Sequence, residues 1–270
     1  MKFIKLNRSV ISISGSDAEK FLQGIISNDI RKANSQDAIC TYFLTPQGKY
    51  ISDFFIIGFN GGYLIDCPEI DKDLLLKKFN IYKLRSAVKI IDLSNDFEVF
   101  QIIEATNQQI NELANQIIFQ DVRSENMGYR LLKNKSKNLE IQSSDIKLYH
   151  QLRIDNLVVE GEFDLEKEKS FPLQFRMIEN NAVDFKKGCY VGQEVTARTH
   201  HRGAIRKTIY KISANENLEN ITEKEILSDD ISVGKILSIV GNNALAQIEI
   251  EAVQQNKPLK ISGIDVVVNQ

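Results

Sequence analysis

Residues 8–14 alternate polar and apolar side chains, the period of a half-buried strand. After Gly15, Ser16-Asp17-Ala18-Glu19 has the form of a capping box, and Ala18, Phe21, Leu22 and Ile25 recur at helical spacing. That helix is expected to stop near Ser27-Asn28-Asp29. Stretches 39–44 and 50–59 are rich in β-branched and aromatic residues, and Thr45-Pro46-Gln47-Gly48 between them is turn chemistry, so they predict a β-hairpin. Asn60-Gly61-Gly62 then turns the chain into a strand over 63–67. Ile70, Leu74, Phe79 and Ile81 predict a helix over 69–85, with Lys83 and Arg85 suited to its negative end. Strands over 88–93 and 97–104, a helix over 107–116 and short strands near 117–122 and 128–133 follow. Strands and helices interleave without a regular β-α period, which predicts an α+β fold with mainly antiparallel sheet.

The lysine-rich segment 134–147 reads as an exposed connection, and a helix from Asp145 carries Tyr149, Leu152 and Arg153. Residues 160–170 are mostly charged and read as a surface loop. Near 200–204 the texture changes. Short alternating stretches at 205–212, 233–240, 244–251, 259–261 and 266–268, separated by turns such as Gly241-Asn242-Asn243, predict a small β-barrel. Two domains are expected, over 1–200 and 201–270.

Composition narrows the classes. The 270 residues are 43% hydrophobic and 26% charged, as in ordinary globular proteins. A net charge of -2 supplies no field for gripping nucleic acid. No apolar run reaches the roughly 18–20 residues that span a bilayer. Met1-Lys2-Phe3-Ile4-Lys5-Leu6 is too charged for a signal peptide and lacks the Arg/Ser-rich character of a transit peptide, so the expected compartment is the cytoplasm. The three cysteines, Cys40, Cys67 and Cys189, form no C-x-x-C, and an odd count argues against a disulfide framework. Three are also too few to hold an iron–sulfur cluster permanently. His150, His200 and His201 show no metal-ligand spacing, and no metal site is expected.

Candidate chemistry concentrates in Lys186-Lys187-Gly188-Cys189-Tyr190-Val191-Gly192-Gln193-Glu194. Two glycines let this loop turn sharply and let another group come close. An ammonium of Lys186 or Lys187 beside the sulfur would favour the thiolate, and Cys189 and Lys187 are the candidate catalytic residues. Cys189 is either a small apolar residue in a tight loop or a functional thiol, and its neighbours favour the second reading. Gln193 and Glu194 can hold hydrogen bonds to a ligand or cap a following helix.

The run K-G-C-Y-x-G-Q-E with Thr196-Ala197-Arg198, and Phe21-Leu22-Gln23-Gly24 with Asn28-Asp29, resemble the signatures of the YgfZ family. These folate-binding proteins are related in fold to the T-protein of the glycine cleavage system. The family is tied to iron–sulfur cluster maturation and to tRNA modification. The resemblance implies a T-protein-like folate-binding domain, a C-terminal barrel and bound tetrahydrofolate. Its implied partners are iron–sulfur client or assembly proteins, and tRNA-modifying enzymes. It places Asn28 and Asp29 at the folate cavity and Tyr149 against the pterin, with Gln193, Glu194 and Arg198 contacting the ligand. Arg198 and Arg202 match the glutamate tail of a folate as guanidiniums match carboxylates. The chain departs from the family at Phe171-Pro172-Leu173-Gln174, where relatives often carry an acid in place of Gln174. The implied role is an accessory factor rather than an enzyme. The alternative is a folate-dependent aminomethyltransferase or demethylase.

Overall fold

The computed structural model describes residues 1–203 and 205–269, leaving aside the side chain of Arg202. The strands, in chain order, are β1 (Lys2–Leu6), β2 (Arg8–Ser14), β3 (Ile39–Leu44), β4 (Tyr50–Phe59), β5 (Gly62–Pro68), β6 (Lys89–Asp92), β7 (Phe97–Ile103), β8 (Ile117–Gln120), β9 (Tyr129–Asn134), β10 (Lys207–Ala214), β11 (Glu225–Ser228), β12 (Ile231–Val240), β13 (Asn243–Glu249), β14 (Leu259–Ile261) and β15 (Ile264–Asn269). The helices are α1 (Ala18–Ile25), α2 (Lys72–Tyr82), α3 (Asn107–Asn111), α4 (Ile146–Asp155), α5 (Gly161–Asp164), α6 (Gln193–Arg202) and α7 (Ile250–Gln254).

A five-stranded sheet in the order β3-β4-β5-β2-β6 faces a four-stranded sheet in the order β1-β7-β9-β8, and β10–β15 close into a barrel. Every strand pairing within these sheets is antiparallel. One core fills the space between the two sheets. A second lies on the far face of the five-stranded sheet, under α1 and α2. A third fills the barrel. Strand β4 is buried on both faces, which accounts for its near-continuous apolar run. Its pairing with β3 skips Ile51, because Leu44 meets Tyr50 and Phe43 meets Ser52. The extra residue is a bulge that reverses the facing of the strand. Beyond it, Phe55 and Ile57 point between the sheets and Phe54 and Ile56 point to α1 and α2.

Some expected details differ. Asp17 does not cap α1 with its side chain; its Oδ2 accepts from the Ala87 amide at 2.7 Å and ties the helix start to the end of α2's loop. The capping box forms instead at α3, between Thr106 and Gln109. The expected helix over 69–85 is shorter, because a 3-10 turn at Glu69–Asp71 precedes it and Leu84 takes φ 48°.

The centre between the sheets is charged. Arg8 donates through Nη1 to Glu160 Oε1 at 2.8 Å and through Nε to Asp66. Arg123 grips Asp121 with two bonds, at 2.9 and 2.7 Å, and Arg153 donates to Asp164 Oδ2 at 2.8 Å. Arg130 Nη1 lies 3.4 Å from Asp66 Oδ2. Tyr149 donates from its hydroxyl to Glu160 Oε2 at 2.8 Å and accepts from Arg123 Nη2 at 3.0 Å. Segment 160–170 is therefore not a surface loop at its start: Glu160, Gly161 and Asp164 are buried. Its charges are balanced by Arg8 of β2, by Arg123 and by Arg153 of α4, a pairing that a local charge run does not announce. Against the desolvation of burial, the guanidiniums of Arg123, Arg8, Arg153 and Arg130 hold the Glu160 carboxyl well below the usual range.

Asp53 is one carboxylate more than the four buried arginines balance. Its Oδ1 accepts from Tyr50 Oη at 3.1 Å and from the Gly161 amide at 3.0 Å. Burial first, then repulsion from Glu160, pushes its pKa up to about 6. A carboxyl whose folded pKa is raised stabilises the protein while protonated, and that stability is lost as pH rises through about 6. Asp53→Asn is expected to be more stable than the parent at pH 8 by roughly 1–3 kcal/mol, with the advantage shrinking towards pH 4. Urea midpoints at the two pH values measure this, and an advantage independent of pH would contradict it.

Candidate functional site

The motif loop is built on the segment that ends α1. Lys187 is buried, and its ammonium donates to three backbone carbonyls, Gln23 O at 2.9 Å, Ile26 O at 2.6 Å and Asn28 O at 2.7 Å. Those carbonyls belong to the turn leaving the helix, where chain geometry leaves acceptors unpaired. Burial lowers the Lys187 pKa to about 8, against the pull of Asp29 and Asp184. Further bonds stitch the same two segments. Val191 N donates to Gly24 O at 3.1 Å, Asp184 N to Ser27 O at 3.1 Å, and Ser27 Oγ to Ala182 O at 2.6 Å. Lys32 pairs with Asp184 at 2.8 Å.

The far side of the loop rests on the β3–β4 turn. Gly192 has φ 86°, and a Cβ there would stand 2.6 Å from Thr45 O. A side chain would force the turn and the loop apart. Gly188 differs: nothing stands within 4 Å of the place a Cβ would take. The loop is held at Lys187 on one side and from Tyr190 to Gly192 on the other, and Gly188 and Cys189 are left open between, with Cys189 exposed and free. Phe185 stacks on His200 of α6, with ring centroids 4.1 Å apart and planes 10° apart.

The structure separates the residues that the sequence grouped. Lys187 is not paired with the thiol: its three protons are taken by carbonyls. Asn28 donates to Cys40 O at 2.8 Å and to Asn181 O at 2.9 Å, and accepts from the Asp29 amide. Asp29 accepts from Arg31 and Gln23, and the Arg31 hydrogen bond is the first cause holding its carboxyl well below the usual range. Both residues shape the turn. Glu194 and Arg198 pair with each other along the exposed face of α6 at 2.5 Å, and neither Gln193 nor Glu194 caps that helix with its side chain. The Arg202 side chain lies outside the described residues.

Tyr149 sits apart from this loop, on the arginine cluster. With Arg8, His150, Glu160 and Phe163 it lines a cavity of about 160 Å³. Sites for ligands of drug size span about 300–1,000 Å³. Arginine and carboxylate side chains occupy the centre beside the cavity. The sequence reading missed Glu160 and Arg130 because Arg8 and Asp66, which they meet, lie far along the chain, and it missed Arg123 because its pairing with Asp121 looks like a solvated local pair. Among the described residues no group of three His, Cys, Asp or Glu side chains is arranged to hold a metal ion. Among them also, no helix is long and apolar enough to cross a membrane.

Comparison with known proteins places this geometry. The chain is 30% identical over 275 residues to the mitochondrial iron-sulfur cluster assembly factor IBA57 homolog of Pyricularia oryzae, covering 91% of this chain and 70% of that protein. The chain belongs to the IBA57 family. The IBA57 homolog of Mycosarcoma maydis is 35% identical over 224 residues, covering 77% of this chain but 55% of that protein. The human IBA57 is 28% identical over 274 residues, covering 92% and 77%. Residues 206–270 match the family described as CAF17, C-terminal beta-barrel domain. In fold, the chain resembles the glycine cleavage system aminomethyltransferase T of Bartonella henselae, with a TM-score of 0.78 at 10% identity over 100% of this chain and 85% of that one. The expected T-protein-like α+β fold with a C-terminal barrel is thus the observed one. The family shown is that of IBA57, and the likeness to YgfZ stays a resemblance. The relatives are mitochondrial, which overturns the cytoplasmic expectation; that expectation rested on the character of residues 1–6, which does not decide the compartment.

The clamp has a measurable consequence. Lys187→Met leaves three carbonyls without their shared donor and is expected to destabilise the protein by roughly 2–4 kcal/mol, with faster amide exchange over residues 23–28. Lys186→Met, on an exposed neighbour, should change stability by less than about 0.5 kcal/mol. Urea unfolding of the two variants checks this, and equal small effects would show the clamp to be inert.

Proposed function

We propose that this chain handles iron–sulfur clusters in transit, with the Cys189 thiolate as its own ligand to a cluster shared with a partner protein. The observation that carries this reading is a single accessible thiol on a clamped loop. Cys40 and Cys67 are buried; burial pushes the Cys40 thiol up to about 12 and the Cys67 thiol well up too. One cysteine cannot hold a cluster alone, since clusters take four protein ligands as a rule. The remaining ligands come from the donor or the client.

The exchange is a ligand substitution. Cys189 loses its proton, its sulfur lone pair bonds an iron of the cargo cluster, and a donor thiolate leaves that iron and takes up the proton. No electron is transferred. The naming of the relatives as iron-sulfur cluster assembly factors supports this assignment, and on it the compartment is theirs, the mitochondrion. Clients that carry clusters, tRNA-modifying enzymes among them, then tie the chain to tRNA modification without RNA contact. Folate-dependent aminomethyl transfer or demethylation shares the fold of the T-protein, but the filled centre opposes it.

In cells that depend on this chain, Cys189→Ala is expected to abolish its support of cluster-containing enzymes while the purified variant melts as the parent does. Full support by that variant would remove Cys189 from the function.

A further inference from the structure

Helix α2 lays Leu75 and Phe79 on the core and turns its other side to water. From Lys77 to Lys89 the chain carries five cations, Lys77, Lys78, Lys83, Arg85 and Lys89, and no carboxylate, in a protein of net charge -2. Two aliphatic side chains stand among them: Ile81 is 58% exposed and Leu84 is 83% exposed. The left-handed backbone at Leu84, φ 48°, is costly for a residue with a Cβ and ends the helix with that side chain in solvent.

This end of α2 lies beside the clamp. The Tyr82 ring meets the Phe43 ring at 5.5 Å, Phe43 bridges to Ile26, and Ile26 O receives the Lys187 ammonium. A chain of core contacts beneath the patch thus links it to the loop that presents Cys189.

We infer that the 77–89 patch is a docking surface for an acidic face of a partner protein, with Ile81 and Leu84 at its apolar centre and the cations around them. This rests on the reading that the chain passes clusters to and from partner proteins. An apolar centre within a charged rim is how protein interfaces are built, and opposite rims of charge speed and orient the encounter. A lipid surface fits less well, because the apolar side of α2 is already spent on the core and cannot enter a bilayer.

The test is fluorescence anisotropy with a labelled synthetic peptide of glutamates flanking two leucines. Saturable binding by the full chain is expected. It should weaken about tenfold in the triple variant Lys77→Glu, Arg85→Glu, Lys89→Glu, and weaken also in Leu84→Ser and in high salt. The three charged positions are exposed, and unchanged melting confirms that the variants fold. Absence of binding by the parent, or equal binding by the triple variant, overturns the inference. So does a stronger, patch-dependent affinity for single-stranded RNA or for phosphatidylcholine–phosphatidylserine vesicles, which would give the patch to nucleic acid or to membrane. Cys189→Ala should bind the peptide as the parent does. Tolerance of that variant in cells together with patch-dependent peptide binding would sink the cluster reading and leave the docking surface standing.

Discussion

The contact on which the rest of the site depends is the Lys187 ammonium on the carbonyls of Gln23, Ile26 and Asn28. A helix end leaves acceptors that something must satisfy. Here a side chain from a loop far along the sequence does it, and by doing so fixes that loop to the helix. Because Gly192 seats the other end of the loop on the β3–β4 turn, Gly188 and Cys189 between them are held up without being covered. A thiol in that position is accessible to a large partner yet restrained in direction. That suits ligand exchange between two proteins better than chemistry on a small molecule in a cavity.

The centre of the protein has the opposite character. Four arginines and their carboxylates occupy the space between the sheets, bound to one another and to Tyr149. Buried ion pairs of this kind add little net stability over apolar packing, but removing one partner strands the other. The cluster thus acts as an all-or-none lattice tying β2, β5, β9, α4 and α5 together. The fold is shared with an aminomethyltransferase, while the interior in this chain is a packed electrostatic core.

What the sequence made legible follows from how local each signal is. The hairpin over 39–59, α1 and most barrel strands were readable from periodicity and turn residues next to each other. The segment β1 was not read, since five residues of mixed character carry no period of their own and pair only with distant β7. The motif loop was recognised as the place of interest, and Cys189 within it. The part given to Lys187 was not, because an ammonium two residues from a cysteine looks like a thiolate partner until the carbonyls of a helix some 160 residues away are brought against it. Glu160 was hidden for the same reason: a charged run looks solvated until its arginines are found.

The most direct measurement is anaerobic reconstitution of the purified chain with ferrous iron, sulfide and excess glutathione, followed by visible absorption and native mass spectrometry. Glutathione supplies the thiolates that a partner would give. A cluster bound by the parent chain and absent from Cys189→Ala is the predicted result. A cluster held equally by both, or by neither, would contradict the placing of the cargo on Cys189.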